Sequence, residues 1–196
     1  MQTVFLRSFL LLVFLGVLPV SCCRQATRDY VYIKEMTLAL ADAAGSPLSS
    51  GARTSAAELR ATLRFQIDYV AQGPAGAPFT GQAQALQCPT EGTKGWKSAV
   101  TEVVLTSTGL FNGRTAGQSL NAFVRCSTAG SPTEFPLAQL ADSLNSKSWQ
   151  LYRFGDPLVL RISPKPADNA RQQFQVRVRV ANARELAQST PEVIWD

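Results

Sequence analysis

Alternation of apolar and polar side chains, the period of a half-buried strand, recurs along this chain and sets most of its predicted elements. The clearest run covers residues 59–70, where Leu63, Phe65, Ile67 and Tyr69 share one face and Arg64, Gln66 and Asp68 the other. Residues 158–162 repeat the pattern, with Leu158, Leu160 and Ile162 set against Val159 and Arg161. Residues 174–180 do so again, placing Phe174, Val176, Val178 and Val180 opposite Gln175, Arg177 and Arg179. Residues 30–41 predict a strand whose buried face, Ile33, Met36, Leu38 and Leu40, follows an irregular start.

Weaker runs predict strands at 99–107 and 120–126, a short one at 81–87 leading into Cys88, and a last one at 190–195. Between them lie breakers: an Ala-, Gly-, Ser- and Pro-rich stretch at 43–57, the Gly/Pro run 72–78, a turn-rich excursion at 89–95, and the turn pair Asn112-Gly113. Residues 136–144 alone show helical spacing, with Leu137, Leu140, Ala141 and Leu144 on one face and Pro136 at a position suited to a first helical residue. The runs 158–162 and 174–180 flank a Pro-rich loop, so a hairpin between them is expected. Many short strands polar on one side indicate a mainly β fold, an antiparallel β-sandwich of immunoglobulin-like or Greek-key type with one short helix.

The first residues stand outside this pattern. Residues 8–20 are almost wholly apolar behind the single charge Arg7, too short a run for a mature membrane span, which takes about 20 residues. The segment ends Leu18-Pro19-Val20-Ser21-Cys22-Cys23 and resembles the lipobox of bacterial lipoproteins. That resemblance implies cleavage before Cys22 and lipidation of its sulfur. Pro19 stands where the family has leucine, and Cys23 is the alternative acceptor. The expected organisation is a signal peptide at 1–21, a lipidated tether at 22–29 and one domain at 30–196.

Composition narrows the chemistry. The chain of 196 residues is 45% apolar and 17% charged, which suits one globular domain. Loss of Arg7 with the leader leaves 18 Lys and Arg against 14 Asp and Glu, a mild and scattered surplus that argues against nucleic acid as a partner. Cys88 and Cys126 lie in the body of an exported domain and are expected to form a disulfide, with two buried thiols as the alternative. No histidine is present, which excludes serine–histidine and cysteine–histidine nucleophile systems and the common zinc sites, so no metal and no cofactor is expected. A carboxylate pair drawn from Asp68, Glu102, Glu134, Asp142 and Asp156 is the remaining enzymatic route, and nothing in the sequence pairs them. The chain is expected not to be an enzyme.

Two groups of residues suggest contact with a ligand or partner. Trp96, between Lys94 and Lys97, is the aromatic least explained by strand alternation; it either stacks on a sugar or partner, or folds back to pack. Arg161, Arg177 and Arg179 fall on the polar faces of the two runs expected to pair, where guanidinium groups could grip an anion or simply keep the sheet soluble.

The strings Leu105-Thr106-Ser107, Phe111-Asn112, Ala116-Gly117-Gln118-Ser119-Leu120-Asn121, Phe135-Pro136-Leu137, Gln173-Phe174-Gln175-Val176 and Thr190-Pro191-Glu192-Val193 are similar to those of an uncharacterised family of small Bacteroidetes lipoproteins. The resemblance implies a lipid-anchored envelope protein and no activity. Surface-displayed lipoproteins of that group often carry acidic residues behind the lipidated cysteine, whereas Arg24 and Arg28 are basic here. The expectation is therefore an outer-membrane anchor facing the periplasm, with a non-enzymatic role in binding or scaffolding an envelope protein. Surface display as a glycan-binding or host-ligand module is the alternative.

Overall fold

A computed structural model describes residues 28–70, 92–129, 131, 133–146 and 155–196. The signal segment, Cys22, Cys23, Cys88 and the short strand expected at 81–87 lie outside the described residues. The chain forms β1 (Tyr30–Ala41), β2 (Arg53–Thr54), β3 (Leu59–Val70), β4 (Val100–Ser107), β5 (Val124–Thr128) and β6 (Phe135–Pro136), then the short helix α1 (Leu140–Asn145). It continues through β7 (Leu158–Ile162), β8 (Arg171–Gln172), β9 (Phe174–Val180), β10 (Arg184–Ser189) and β11 (Val193–Trp195). Strand order is β1-β3-β7-β5-β6 in one sheet and β10-β9-β4 in a second, with a small third sheet β2-β11-β8 at one end.

The two main sheets are antiparallel throughout and make a sandwich around one core. Read in chain order, β1, β3, β4, β5, β7, β9 and β10 take the places of strands A to G in a constant-type immunoglobulin sandwich: A-B-E-D in one sheet and G-F-C in the other. Each strand buries alternate residues. Leu59, Ala61, Leu63 and Phe65 of β3 face inward with Leu158, Leu160 and Ile162 of β7, and Phe174, Val176 and Val178 of β9 face them from the second sheet. At roughly 1.5–3 kcal/mol per large apolar side chain fully buried, these inner faces are the main stabilising term.

The irregular start of β1 has a definite cause. A β-bulge falls between Ile33 and Glu35, and it shifts the inward phase from Val31 and Ile33 to Met36, Leu38 and Leu40. The expected hairpin of β7 with β9 is not formed. β7 lies between β3 and β5, and β9 between β4 and β10, so the link from residue 163 to 173 crosses from one sheet to the other. The expected strand at 120–126 begins as a 3-10 turn over Asn121–Phe123, and the expected helix narrows to a 3-10 turn at Leu137–Gln139 followed by α1.

At the end of the sandwich away from Tyr30, aromatic rings close the core. Phe111 stands 5.4 Å from Phe123, 6.1 Å from Phe174 and 6.2 Å from Trp195, with Phe174 6.4 Å from Trp195 in edge-to-face contact. Trp195 is fully buried and its indole N–H donates to the carbonyl of Ala56 at 2.6 Å, which fixes the end of the chain across the third sheet. Buried Gln172 binds the surrounding loops together: it accepts from the Ser107 hydroxyl and donates to the carbonyls of Leu110 and Asn169.

The outer edge of β4 is sealed by side chains in place of a strand. Asn121 accepts from the Leu105 N–H at 3.0 Å and donates to the Val103 carbonyl at 2.9 Å, and Asn145 pairs in the same way with both backbone groups of Val100. Two amide side chains thus stand in for a neighbouring strand, the protection that an open sheet edge requires. Asn121→Ala leaves a half-buried N–H and C=O without partners, so a loss of about 1–3 kcal/mol in chemical denaturation is expected, together with faster aggregation.

The expected disulfide is corrected. Cys126 is a free thiol, buried on the inward face of β5 opposite Leu160, and burial pushes its pKa up to about 12. Such a thiol stays protonated and unreactive at neutral pH. Peptide mapping after iodoacetamide treatment without reductant should find Cys126 unmodified in the native protein and modified once it is unfolded. A requirement for reductant in the unfolded state would contradict the assignment.

Candidate functional site

The start of β1, the segment 92–98 and the β9–β10 hairpin meet at one end of the sandwich. Segment 92–97 runs alongside β1 as an added parallel bridge: Gly92 and Lys94 donate to the carbonyls of Arg28 and Asp29, Val31 donates to Gly95, and Lys97 donates back to Val31. Only glycine fits at position 92, where φ is +76° and a Cβ would stand 2.8 Å from the Val31 side chain and 2.9 Å from the Tyr69 ring. Lys94 closes this junction. Its ammonium lies 2.7 Å from Asp29 and 5.6 Å from the centre of the Tyr30 ring, and the hydrogen bond to Asp29 raises its pKa.

Arg184, the first residue of β10, ties the second sheet to the bulge of the first. Its two terminal nitrogens donate to the consecutive carbonyls of Ile33 and Lys34, each at 2.8 Å, while its guanidinium carbon sits 4.6 Å from the centre of the Tyr32 ring. The bulge turns those carbonyls out of the ladder, and the planar fork of arginine can reach both at once.

Beside this clasp opens a cleft of about 390 Å³. Ile33, Val70, Val180 and Ala181 form its apolar wall and Tyr32 flanks them. Lys97, Ser98, Asn182 and Arg184 supply its polar rim, where the Asn182 amide donates to the Ser98 hydroxyl at 2.9 Å. Asn182 and Ala183 both have positive φ, 84° and 61°, which makes the turn of the β9–β10 hairpin tight. An apolar hollow with a few convergent polar groups is the usual form of a small-ligand site.

The residues singled out by sequence separate. Lys97 is exposed on the cleft rim. Lys94 is committed to Asp29. Trp96 is not presented to a ligand: it is buried, and its indole N–H donates at 2.8 Å to the Leu144 carbonyl near the end of α1, one of the helix groups that lack an intrahelical partner.

The expected arginine cluster is also corrected, because its members belong to different sheets. Arg161, on β7, lies 3.3 Å from Glu58 and 3.0 Å from Glu134, in register with Arg60 and Arg125 on the flanking strands. Arg179, on β9, is held at 2.9 Å by both Glu102 and Glu185, its register neighbours on β4 and β10. These glutamates raise its pKa further. Arg177 is half-buried between Val104 and Ala187. Arg161 and Arg179 are thus each paired with two acids, the charged-sheet reading of the sequence, while Arg177 has no acid beside it in register.

The carboxylates singled out by sequence are spread over separate elements and loops. Glu102 and Glu134 serve arginines on separate sheets, Asp68 is exposed on β3 and Asp142 is exposed on α1. Asp168 accepts from the backbone N–H groups of Gly113 at 2.7 Å and Asn112 at 2.9 Å, bonds that lower its pKa and pin the Asn112-Gly113 turn. No three His, Cys, Asp or Glu side chains come together as a metal shell among the described residues, and no described helix is long and apolar enough to cross a membrane.

Sequence reasoning missed β10, and with it Arg184 and the cleft. The one available signal was Asn182 between two alanines after a strong strand, a turn candidate followed by a short charged run. Arg184→Lys keeps the charge but cannot span both carbonyls. It should cost about 1–2 kcal/mol, the scale of a charged hydrogen bond that is partly solvated, and hydrogen exchange should accelerate at residues 31–35 well before it does in β3 or β7.

No family model, curated protein or solved structure matches this chain.

Proposed function

We propose that this chain is a lipid-anchored protein of the bacterial cell envelope that works by binding, with its cleft held close to the membrane. The observation that carries the reading is positional. The tether enters the fold at Arg28 and Asp29, and the cleft opens at that same end, between β1 and the β9–β10 hairpin. Six residue steps separate Cys22 from Arg28, and a fully extended chain of that length reaches only about 21 Å. A lipidated Cys22 therefore keeps this end near the bilayer surface, while the aromatic end points away.

The lipobox-like run before Cys22 and the similarity to small Bacteroidetes lipoproteins support the anchor, and basic Arg24 and Arg28 support the periplasmic side of the outer membrane. The junction built by Gly92, Lys94 and Asp29 supports a role in which the domain is held firmly at its tether. A binding role suits a cleft whose rim carries two cations and two amide or hydroxyl groups; a partner protein of the envelope is the companion reading, approached from the same end.

Fractionation and protease treatment of intact cells test the proposal. Wild-type protein should pellet with the outer membrane and resist external protease until that membrane is opened, and Cys22→Ala should move it to the soluble periplasmic fraction. A Cys22→Ala protein that still pellets overturns the anchor. Digestion in intact cells overturns the periplasmic orientation and makes surface display the reading.

A further inference from the structure

Six cations among the described residues face a carboxylate. Arg161 lies between two glutamates, Arg179 between two more, and Lys94, Arg53 and Arg171 each against an acid. The cleft at the tether end is lined by two cations that do not face a carboxylate. Lys97 and Arg184 both line it, and none of the residues lining it carries a carboxylate. Arg184 uses two of its five N–H donors on the β1 carbonyls, bonds that leave its positive charge uncompensated. Lys97 donates through its backbone to Val31, and its ammonium meets no carboxylate among the described residues.

The opposite wall is apolar, formed by Ile33, Val70, Val180 and Ala181. Such a wall by itself would accept any hydrophobe. Two cations at the rim change the preference: a neutral apolar ligand would crowd their hydration and give nothing back, whereas an anionic head supplies the missing charge. Volume sets the size. At about 390 Å³ the cleft is at the small end of ligand sites and suits one chain or ring, not the two acyl chains of a phospholipid.

We infer that this cleft binds a single-chain apolar carboxylate of the fatty-acid type. Its chain lies along Ile33, Val70 and Val180, and its head group meets Lys97 on the side shared with Arg184. Asn182 and Ser98, already joined by a hydrogen bond, are placed to bind a carboxylate oxygen or a water beside it. This inference rests on the binding reading above and adds the class of ligand. It assigns no reaction, only capture of a molecule that partitions between the bilayer and the protein standing on it.

Photo-crosslinking of the purified full-length protein in zwitterionic nanodiscs tests it, using a diazirine-bearing dodecanoate and the matching dodecanol. The carboxylate should label peptides that contain residues 32–33 and 180–184 about tenfold more than the alcohol does. Lys97→Met, a change at an exposed side chain, should abolish most of that preference with no shift in Tm. Equal labelling by acid and alcohol, or an unchanged preference in Lys97→Met, overturns the carboxylate assignment while leaving the cleft a binder of apolar molecules. Absence of label from both peptides with either probe overturns the cleft as a ligand site, and the fractionation of Cys22→Ala then judges the anchor independently.

Discussion

The guanidinium of Arg184 reaches from the edge of one sheet to the bulged backbone of the other, and the architecture of the tether end depends on that span. A sandwich holds its two sheets together through non-directional burial, which sets their separation but leaves the edges free to splay. Here the bulge after Ile33 turns two successive carbonyls outward, and Arg184 satisfies both while Tyr32 covers its face. The clasp ties β1 to β10, with an apolar hollow beside it. Without the bulge there would be no carbonyl pair to grasp.

The two ends of the molecule answer to different physics. At the aromatic end, Phe111, Phe174 and Trp195 fill the space and Gln172 satisfies the loop backbone, so that end is packed and polar groups are paired. At the tether end, the chain is stitched by main-chain bonds between residues 28–31 and 92–97, and the hollow beside them is lined but not filled. On the outer faces, Arg179 is paired in register with Glu102 and Glu185 and Arg161 with Glu58 and Glu134 from outside its register, pairs that favour solubility and are worth at most about 1 kcal/mol each. Lys97 and Arg184 have no carboxylate partner among the described residues and line an apolar hollow that carries none, and this juxtaposition of cations and apolar wall marks the cleft.

Alternation made the core strands legible. Residues 59–70, 158–162 and 174–180 show it without interruption, because each has one face on the core, and they coincide with β3, β7 and β9. β10 escaped notice for the same reason in reverse: as an edge strand it exposes nearly every residue, with only Arg184 and Leu186 half-buried, so no apolar period marks it. Pairing was not legible either. β7 and β9 carry the same alternation whichever strands flank them, and nearness in sequence suggested a hairpin where the chain in fact changes sheets. The cleft draws on four separated segments, and Trp96 was ambiguous until Leu144 supplied an acceptor for its indole.

The central claim is that the tether presents the cleft to the membrane, and quenching by lipid-borne probes measures this directly. A small fluorophore at position 182 on the hairpin, and another at position 113 on the Asn112-Gly113 turn at the aromatic end, would report on the lipidated protein in vesicles carrying head-group quenchers. The account predicts strong quenching at 182 and little at 113. Equal quenching at the two positions, or stronger quenching at 113, would contradict it.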